Sequence, residues 1–124
     1  MEKQSTYQTG RKGEDLAAGF LEDAGYRILT RNYVYNKKEI DIVARDKNEI
    51  VFVEVKERAT EQFGMPYEAV NKRKQQNIIS VADNYIRRYN IDLEARFDII
   101  SITLNPFLPP KIVHIKNAFT PSIY

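Results

Sequence analysis

Apolar side chains recur at helical spacing in two stretches of the chain, residues 10–24 and residues 67–89. The first stretch is followed by Gly25, a residue type that commonly caps the C-terminus of a helix. The positions that form the two apolar faces are Leu16, Ala17, Phe20, Leu21 and Ala24 in the first stretch, and Val70, Ile78, Val81, Ala82, Tyr85 and Tyr89 in the second. The spacing predicts two amphipathic helices.

Aromatic and β-branched residues are concentrated in five other segments, as is typical of strands. Three of these segments precede the second helix and two follow it: residues 26–35, 39–45, 49–57, 96–104 and 111–116. The predicted order of elements is therefore α-β-β-β-α-β-β. A strand reached through a long helix usually joins the sheet in parallel by a right-handed crossover. We expect an α/β fold with a mixed β-sheet flanked by helices.

The remaining segments have the composition of connections. The Phe-Gly-Met-Pro sequence of residues 63–66 predicts a loop before the second helix, and the Pro-rich residues 106–110 predict a connection between the last two strands. A chain of 124 residues without internal repeats has the size of one domain, so we expect residues 1–124 to form a single domain. Residues 1–9 are polar, and we expect them to form a flexible N-terminal arm.

Composition narrows the function classes only slightly. A hydrophobic fraction of 43% and a charged fraction of 29% are ordinary for a soluble globular protein. The chain has no cysteine, which excludes disulfides and thiolate metal sites. Without a signal-peptide core or a membrane-length apolar run, a cytoplasmic location with no membrane partner is expected. The net charge of +2 is too small to indicate a nucleic-acid partner by itself.

The predicted hairpin of residues 39–57 carries the most informative pattern. If its turn centres on Lys47 and Asn48, where Asn tolerates a positive φ, the antiparallel register sets Asp41 directly opposite Glu54. Directly opposed residues have Cβ atoms roughly 5 Å apart, so two such carboxylates either repel each other or share one cation.

Alternation divides this hairpin into two faces. One face is wholly apolar and comprises Ile40, Ile42, Ala44, Val51, Val53 and Val55. The other face has Val43, Ile50 and Phe52 near the turn and Glu39, Asp41, Glu54 and Lys56 at the far end. Three acids beside one base repel each other unless a cation lies among them, and Mg²⁺ or Mn²⁺ meets this need because such ions bind carboxylate oxygens. The alternative is a surface Glu39–Lys56 salt bridge, with the other two acids facing water.

Three residues outside the hairpin are further candidates. Glu14 lies at the border of the first apolar stripe, positioned to reach the sheet, although the helix dipole alone also favours an acid there. Gln75 lies on the core side of the second helix, where it and Lys74 are positioned to contact a phosphate or a water near the metal; both residue types also suit a plain first helical turn. His114, the single histidine, is expected to be structural rather than catalytic.

An acid followed one hairpin later by Glu-x-Lys resembles the motif of the PD-(D/E)XK nuclease superfamily, whose restriction-endonuclease-like fold is shared with Holliday junction resolvases. The chain also resembles the YraN-type bacterial proteins, which are described as endonuclease-like. The segments that carry this second resemblance are residues 13–17, 39–42, 52–58, 63–64, 69–70, 74–75, 96–98, 114–115 and 117–119. The resemblance covers nearly the whole chain and implies a three-layer core.

The resemblance also implies roles for individual residues. In the superfamily, acids placed like Asp41 and Glu54 bind the metal, and a lysine placed like Lys56 orients or activates water and stabilises charge. An acid placed like Glu14 completes the site in resolvase-like branches, and these relatives suggest a homodimer. One departure from the YraN-type pattern is Lys38, where a glycine usually stands.

The leading hypothesis is therefore a Mg²⁺-dependent or Mn²⁺-dependent endonuclease that hydrolyses DNA phosphodiesters and selects structures such as branched DNA. Basic residues are expected to hold the phosphate backbone in a largely sequence-independent way; the candidates are Arg11, Lys12, Arg58, Lys72, Arg73 and Lys74. One alternative is a nucleic-acid-binding module that cleaves nothing and acts as a subunit in DNA processing or uptake. Another is an interaction domain whose acids bind only water.

Overall fold

Seven elements follow one another in the predicted order in a computed structural model that describes residues 6–59 and 70–121, with the side chains of the first helix described from residue 12 onward. The elements are α1 (Thr6–Asp23), β1 (Arg27–Tyr35), β2 (Lys38–Asp46), β3 (Glu49–Arg58), α2 (Lys72–Arg88), β4 (Glu94–Asn105) and β5 (Leu108–Phe119). The order α-β-β-β-α-β-β is confirmed. The loop predicted at residues 63–66 lies outside the described residues.

The five strands form one sheet in the order β1-β2-β3-β4-β5. Strands β3 and β4 are parallel, as predicted for two strands joined through a long helix, and the other three pairs are antiparallel. The two hairpin turns β1–β2 and β4–β5 therefore lie at the same end of the sheet as the C-terminus of β3, and the β2–β3 turn lies at the opposite end.

Each face of the sheet is covered by one helix, which gives three layers. Helix α1 packs through Ala17 and Leu21 on a cluster that includes Ile42, Val53 and Ile100. The cluster on the α2 face comprises Tyr33, Ile40, Val43, Ile50, Phe52, Val70, Ile78, Val81, Ala82, Tyr85, Phe97 and Ile99. Burial of these two apolar faces is the main force that holds the layers together. Within the described residues, neither helix combines the length and apolarity that crossing a membrane requires.

Several element boundaries differ from the prediction: α1 begins at Thr6, within the residues expected to form a flexible arm, and two further differences have identifiable reasons. Helix α2 begins at Lys72 rather than at residue 67, because the side chain of Asn71 accepts a hydrogen bond from the N–H of Lys74 at 2.9 Å and caps the helix. Strand β5 already begins at Leu108 and includes Pro109 and Pro110, which were predicted to lie in a connection. An edge strand tolerates proline because a missing N–H on its outer side breaks no ladder bond.

Strand alternation is interrupted at Asn32, whose φ of 54° is left-handed. Arg31 pairs with Ile42 and Tyr33 pairs with Ile40, so these two pairs should share a face if alternation were regular. Instead, Ile42 packs in the α1 cluster whereas Tyr33 and Ile40 pack in the α2 cluster. The prediction that Ile40 shares the face of Ile42 is therefore wrong: alternation on β2 breaks between these two residues, opposite the left-handed Asn32 of β1.

Candidate metal centre

Strands β2 and β3 separate at the end of the sheet that holds the candidate site. Their ladder runs from Asp46–Glu49 to Ile42–Val53, which confirms the predicted register over these five pairs. Beyond Ile42–Val53, the Oδ2 atom of Asp41 accepts a hydrogen bond from the N–H of Val55 at 2.8 Å. The Asp41 carboxyl thus lies between the two strands, held by the backbone of β3.

Three carboxylates converge at this gap. One oxygen each of Glu14 on α1, Glu39 on β2 and Asp41 on β2 lie within 4.8 Å of one another. The Nδ2 atom of Asn32 joins two of these groups, because it donates to both Glu14 oxygens at 2.9 and 3.0 Å and to Oε2 of Glu39 at 2.6 Å. The left-handed Asn32 therefore lies where strand alternation breaks, and its side chain links Glu14 of α1 to Glu39 of β2 at the site.

A close contact between α1 and β3 positions Glu14. A Cβ atom at Gly13 would lie 2.1 Å from Oε1 of Glu57, so a larger residue there would require the Glu57 carboxylate to move. Arg31 adds an ion pair from its Nη2 atom to Oδ1 of Asp15 at 2.7 Å and a longer contact of 3.6 Å to Oε1 of Glu14. These contacts hold the middle of α1 against the end of the sheet.

Glu54 and Asp41 form a buried acidic pair beside the three carboxylates. Burial and, second to it, the adjacent carboxyl of Glu54 together raise the pKa of Asp41 to about 8. Burial also raises the pKa of Glu54, although the ammonium group of Lys74, 3.3 Å from Oε2 of Glu54, partly opposes this shift. The two carboxyls are close enough for each to influence the pKa of the other. In the absence of a cation, the Asp41–Glu54 pair therefore holds a proton at neutral pH.

The donor set fits a hard divalent cation. All candidate ligands are carboxylate oxygens, the class that Mg²⁺ and Mn²⁺ bind, and no thiolate is available. A buried acid that keeps its proton only because its charge is unpaired can ionise when a cation replaces that proton. The predicted ligands Asp41 and Glu14 lie in the tightest group, Glu39 joins them, and the predicted ligand Glu54 is adjacent through Asp41.

A cleft of about 240 Å³ opens at the acidic pair. Its walls carry both acids and lysines, and its lining residues are Lys37, Lys38, Glu39, Asp41, Glu54, Lys74, Asn77 and Ile78. Lys56 lies two residues after Glu54 on β3, beside Ser101 of β4, and its charge lowers the pKa of Glu54. A cleft that combines a potential cation site with several ammonium groups suits an anionic ligand.

Helix α2 contributes to the site in a way that only partly matches the prediction. Lys74 pairs with Glu54 instead of remaining a purely peripheral cation. Gln75 points away from the acids: its Nε2 atom donates to the carbonyl oxygen of Val70 at 3.1 Å, and its side chain lines a different cleft together with Lys72. The Gln75 amide is therefore bonded to the carbonyl that precedes the helix, and Gln75 is not among the residues that line the acidic cleft.

The other predicted phosphate-binding residues lie around this end of the molecule. Lys72 and Arg73 are exposed in the first turn of α2. Lys12 is exposed on α1, near enough to Glu57 to lower its pKa. Arg58 is half-buried at the end of β3, beside Thr103 of β4. The side chain of Arg11 lies outside the described residues.

His114 belongs to a buried ionic network. Its Nε2 atom lies 2.8 Å from Oδ2 of Asp98, and Arg96 donates to both oxygens of Asp98 at 3.0 and 2.9 Å. Burial raises the pKa of Asp98, but the hydrogen bonds from His114 and Arg96 outweigh it and lower the pKa below its usual value. Arg96 also contacts Asp46 and Glu49, which flank the β2–β3 turn at the end of the sheet opposite the acidic site.

Sequence reasoning missed two features of this arrangement. Asn32 bridges the carboxylates, and the signal was an asparagine inside an otherwise strand-like run, since asparagine tolerates left-handed backbone better than most residues. The Arg96–Asp98 pair was signalled by two opposite charges two positions apart in an apolar strand, where they share a face.

Comparison with known proteins places these features in a family context. The model of the family described as Uncharacterised protein family UPF0102 matches residues 13–102, a range that contains all four acids of the site. A UPF0102 protein of Caldanaerobacter subterraneus subsp. tengcongensis is 45% identical over 122 residues, covering 96% of this chain and 100% of the relative. A UPF0102 protein of Phocaeicola vulgatus is 44% identical over 115 residues, covering 93% and 94%. A UPF0102 protein of Geobacter sulfurreducens is 48% identical over 111 residues, covering 89% and 87%.

Proposed function

Because this chain belongs to the UPF0102 family, we propose a function for it that rests on its own site: a metal-dependent nuclease of the PD-(D/E)XK superfamily that hydrolyses DNA phosphodiesters. The observation that carries the proposal is the convergence of oxygens from Glu14, Glu39 and Asp41 within 4.8 Å, next to the buried Glu54. Lys56, two residues after Glu54, adds a cation that can stabilise the negative charge developed in this chemistry.

The acids of the site would hold Mg²⁺ or Mn²⁺. Glu14, Glu39 and Asp41 offer the clustered oxygens, and the carboxyl of Glu54 is adjacent to that of Asp41. A bound divalent ion would polarise a phosphoryl oxygen and lower the pKa of a coordinated water, which is the chemistry that phosphodiester hydrolysis needs. The hydrogen bonds of Asn32 and of the Val55 N–H fix three of these carboxylates before any ion arrives, which lowers the cost of organising the site.

Lys56 would act on the phosphate as well as on the acids. Glu54 already has the ammonium group of Lys74 at 3.3 Å as a partner. The Lys56 ammonium group is then available to stabilise negative charge that develops on the phosphoryl oxygens during attack. The same electrostatic field favours ionisation of Glu54, since Lys56 lowers its pKa.

The first turn of α2 is built to attract an anion. It carries Lys72, Arg73 and Lys74 and no acid, although the positive end of a helix dipole disfavours cations at this position. Free backbone N–H groups at a helix N-terminus also bind phosphate oxygens. These groups, together with Lys37 and Lys38 in the cleft, would hold a phosphate backbone in a salt-dependent manner with little sequence preference.

The proposal is tested by incubating wild type, Asp41→Asn and Lys56→Met with branched, linear and single-stranded DNA in Mg²⁺ or Mn²⁺. Each variant should lose at least about 100-fold in cleavage rate, because each removes an interaction with the reacting phosphate or its cation. The matched control is Asp23→Asn, which neutralises an exposed acid at the other end of α1 and should cleave like wild type. Equal rates for wild type and Asp41→Asn would exclude this active site. Salt-dependent binding by every variant with no cleavage of any substrate would instead favour a non-cleaving binding module.

A further inference from the structure

The turn between β4 and β5 presents an exposed apolar tip. The turn consists of Pro106 and Phe107, and the side chain of Phe107 is 89% exposed. Leu108, the next residue, is 64% exposed, so the two form the most exposed pair of large apolar side chains in the described part of the chain. Contact with the core does not explain this phenylalanine, because almost all of its surface faces solvent.

The backbone of this tip is well organised. The Oδ1 atom of Asn105 accepts a hydrogen bond from the N–H of Phe107 at 2.8 Å, and Asn105 pairs with Leu108 across the hairpin. Pro106 has its φ angle fixed by the ring at the first turn position. An aromatic ring held on an ordered turn loses little conformational entropy when it contacts a ligand.

The tip lies at the same end of the sheet as the acidic site. Lys56 of β3 is beside Ser101 of β4, and Asn105 comes four residues later on the same strand, or about 13 Å at the usual strand rise. Arg58, Thr103 and Lys111 form a row across three strands between these two levels. From the acidic site to the tip, the basic residues are thus Lys56 and then Arg58 and Lys111, and the aromatic ring of Phe107 follows them.

The other hairpin at this end repeats the combination of an aromatic ring with cations. Tyr35 is 42% exposed at the β1–β2 turn and pairs with Lys38. Lys37 and Lys38 line the acidic cleft. The site on β2 and β3 is consequently flanked by exposed aromatic rings on both sides, with basic residues between each ring and the acids. Alternating cations and aromatic rings are the features by which proteins bind single-stranded nucleic acid, since phosphates pair with cations and bases stack on rings.

We propose that Phe107 stacks on a nucleobase of the strand whose phosphate is bound at the acidic site, and so selects nucleic acid with accessible base faces. The rise of about 13 Å from Ser101, beside Lys56, to Asn105 at the base of the tip is the length of about four stacked nucleotides at 3.4 Å per nucleotide. The preferred substrate class is then a single strand, or a duplex with unpaired bases next to the cleaved bond. This inference rests on the proposed nuclease function, and it adds a substrate-positioning residue far from the metal ligands.

The test measures binding by fluorescence anisotropy of a labelled 12-nucleotide DNA strand in EDTA, which prevents cleavage. A second strand of the same length carries abasic sites in place of four central nucleotides. Phe107→Ala should bind the intact strand about tenfold more weakly than wild type, as expected for loss of one base–aromatic stack. It should bind the abasic strand within twofold of wild type. Phe107→Tyr should restore binding, and Leu29→Ala, an apolar truncation on β1 near the opposite end of the sheet, should change neither affinity.

Each contrary result has a distinct meaning. If Phe107→Ala binds the intact strand as tightly as wild type, while Lys72→Ala with Arg73→Ala weakens binding, the stacking role is wrong and the nuclease proposal stands. If wild type binds no strand at low salt, both proposals fail. If light scattering shows that wild type is a dimer and Phe107→Ala a monomer, the tip is an interface between two copies of the chain and the stacking role is wrong.

Discussion

The Oδ2 atom of Asp41 accepts its hydrogen bond from the backbone N–H of Val55, 2.8 Å away on the neighbouring strand. A regular antiparallel ladder would direct that N–H to a backbone carbonyl of β2, so a side chain has replaced the backbone at this point. The exchange ends the pairing of the two strands and opens the gap in which the acids meet. It also fixes the carboxyl in place without help from a cation.

Neutralising Asp41 should abolish metal binding while leaving the fold intact. Asn in place of Asp41 keeps the shape of the protonated carboxyl, so Asp41→Asn should be at least as stable as wild type without metal. In wild type, Mn²⁺ at 100 times its dissociation constant should add about 2.7 kcal/mol to the free energy of unfolding. Thermal denaturation with and without Mn²⁺ checks this. A stabilisation of equal size in Asp41→Asn would remove Asp41 from the ligands, and Asp23→Asn serves as the control with an intact site.

Raising the pH should destabilise the metal-free protein. The pKa of Asp41 is raised from 3.8 to about 8 by burial and by Glu54, so the folded protein holds this proton more tightly than the unfolded chain does. The stability contributed by this proton is complete below pH 3.8 and is lost as the pH rises through about 8. Urea denaturation at pH 6 and pH 9 should give a lower free energy of unfolding at pH 9, and Asp41→Asn should show a smaller decrease. A wild-type protein that loses no more stability than Asp41→Asn would contradict the assignment.

Asn32 should have separable backbone and side-chain roles. Asn32→Gly keeps the left-handed backbone but removes the amide that holds Glu14 and Glu39, so its affinity for Mn²⁺ should fall while stability changes little. Asn32→Ala should show the same loss of affinity and, in addition, be less stable than Asn32→Gly by about 1 to 2 kcal/mol, the cost of a left-handed L-residue.

The matched controls for Asn32 are Asn90→Gly and Asn90→Ala, because Asn90 also has a left-handed φ, 51°, but follows α2 at the other end of the molecule. Those two variants should reproduce the difference in stability without any effect on Mn²⁺ binding, measured by titration calorimetry. Unchanged Mn²⁺ affinity in Asn32→Gly would show that the amide does not organise the acids.

The Arg96 network should support stability and not the chemistry of the acidic site. Arg96→Met leaves the carboxylate of Asp98 buried without its main cation and should lower the free energy of unfolding by about 3 to 5 kcal/mol. Because the network extends to the β2–β3 turn, the affinity of the folded variant for Mn²⁺ should stay within twofold of wild type. Urea denaturation and calorimetry below the unfolding transition measure the two quantities. A large loss of Mn²⁺ affinity in a folded variant would contradict this separation.

The order of elements and the register of the β2–β3 hairpin were predictable from the sequence because they depend on local patterns. Apolar periodicity identifies the helices, and one turn position fixes every pair along a hairpin, even though the left-handed turn residue is Lys47 and not the expected Asn48. The same register argument set Asp41 directly opposite Glu54; the ladder ends one pair earlier, at Ile42–Val53, but the two carboxyls still lie near each other.

The remaining parts of the site depend on contacts between distant segments. Glu39 lies near Glu14 where the alternation of β2 breaks between Ile40 and Ile42, opposite the left-handed Asn32, and no period-two pattern contains that break. The Gln75 amide bonds to the carbonyl of Val70, the residue before the helix cap Asn71, instead of facing the acids. In both cases a local backbone exception, rather than the hydrophobic pattern, decides where a polar side chain points.

The two prolines at the start of β5 also determine how this sheet can meet other chains. An unpaired strand edge is a template on which a second polypeptide can add by backbone hydrogen bonds, and long runs of such addition produce aggregates. Successive N–H groups along a strand point to opposite edges, so the consecutive Pro109 and Pro110 remove one donor from the exposed edge of β5 and one from the edge that faces β4. The missing outer donor interrupts the template for a further strand there, so this edge resists fibril-like stacking even though it carries exposed apolar side chains.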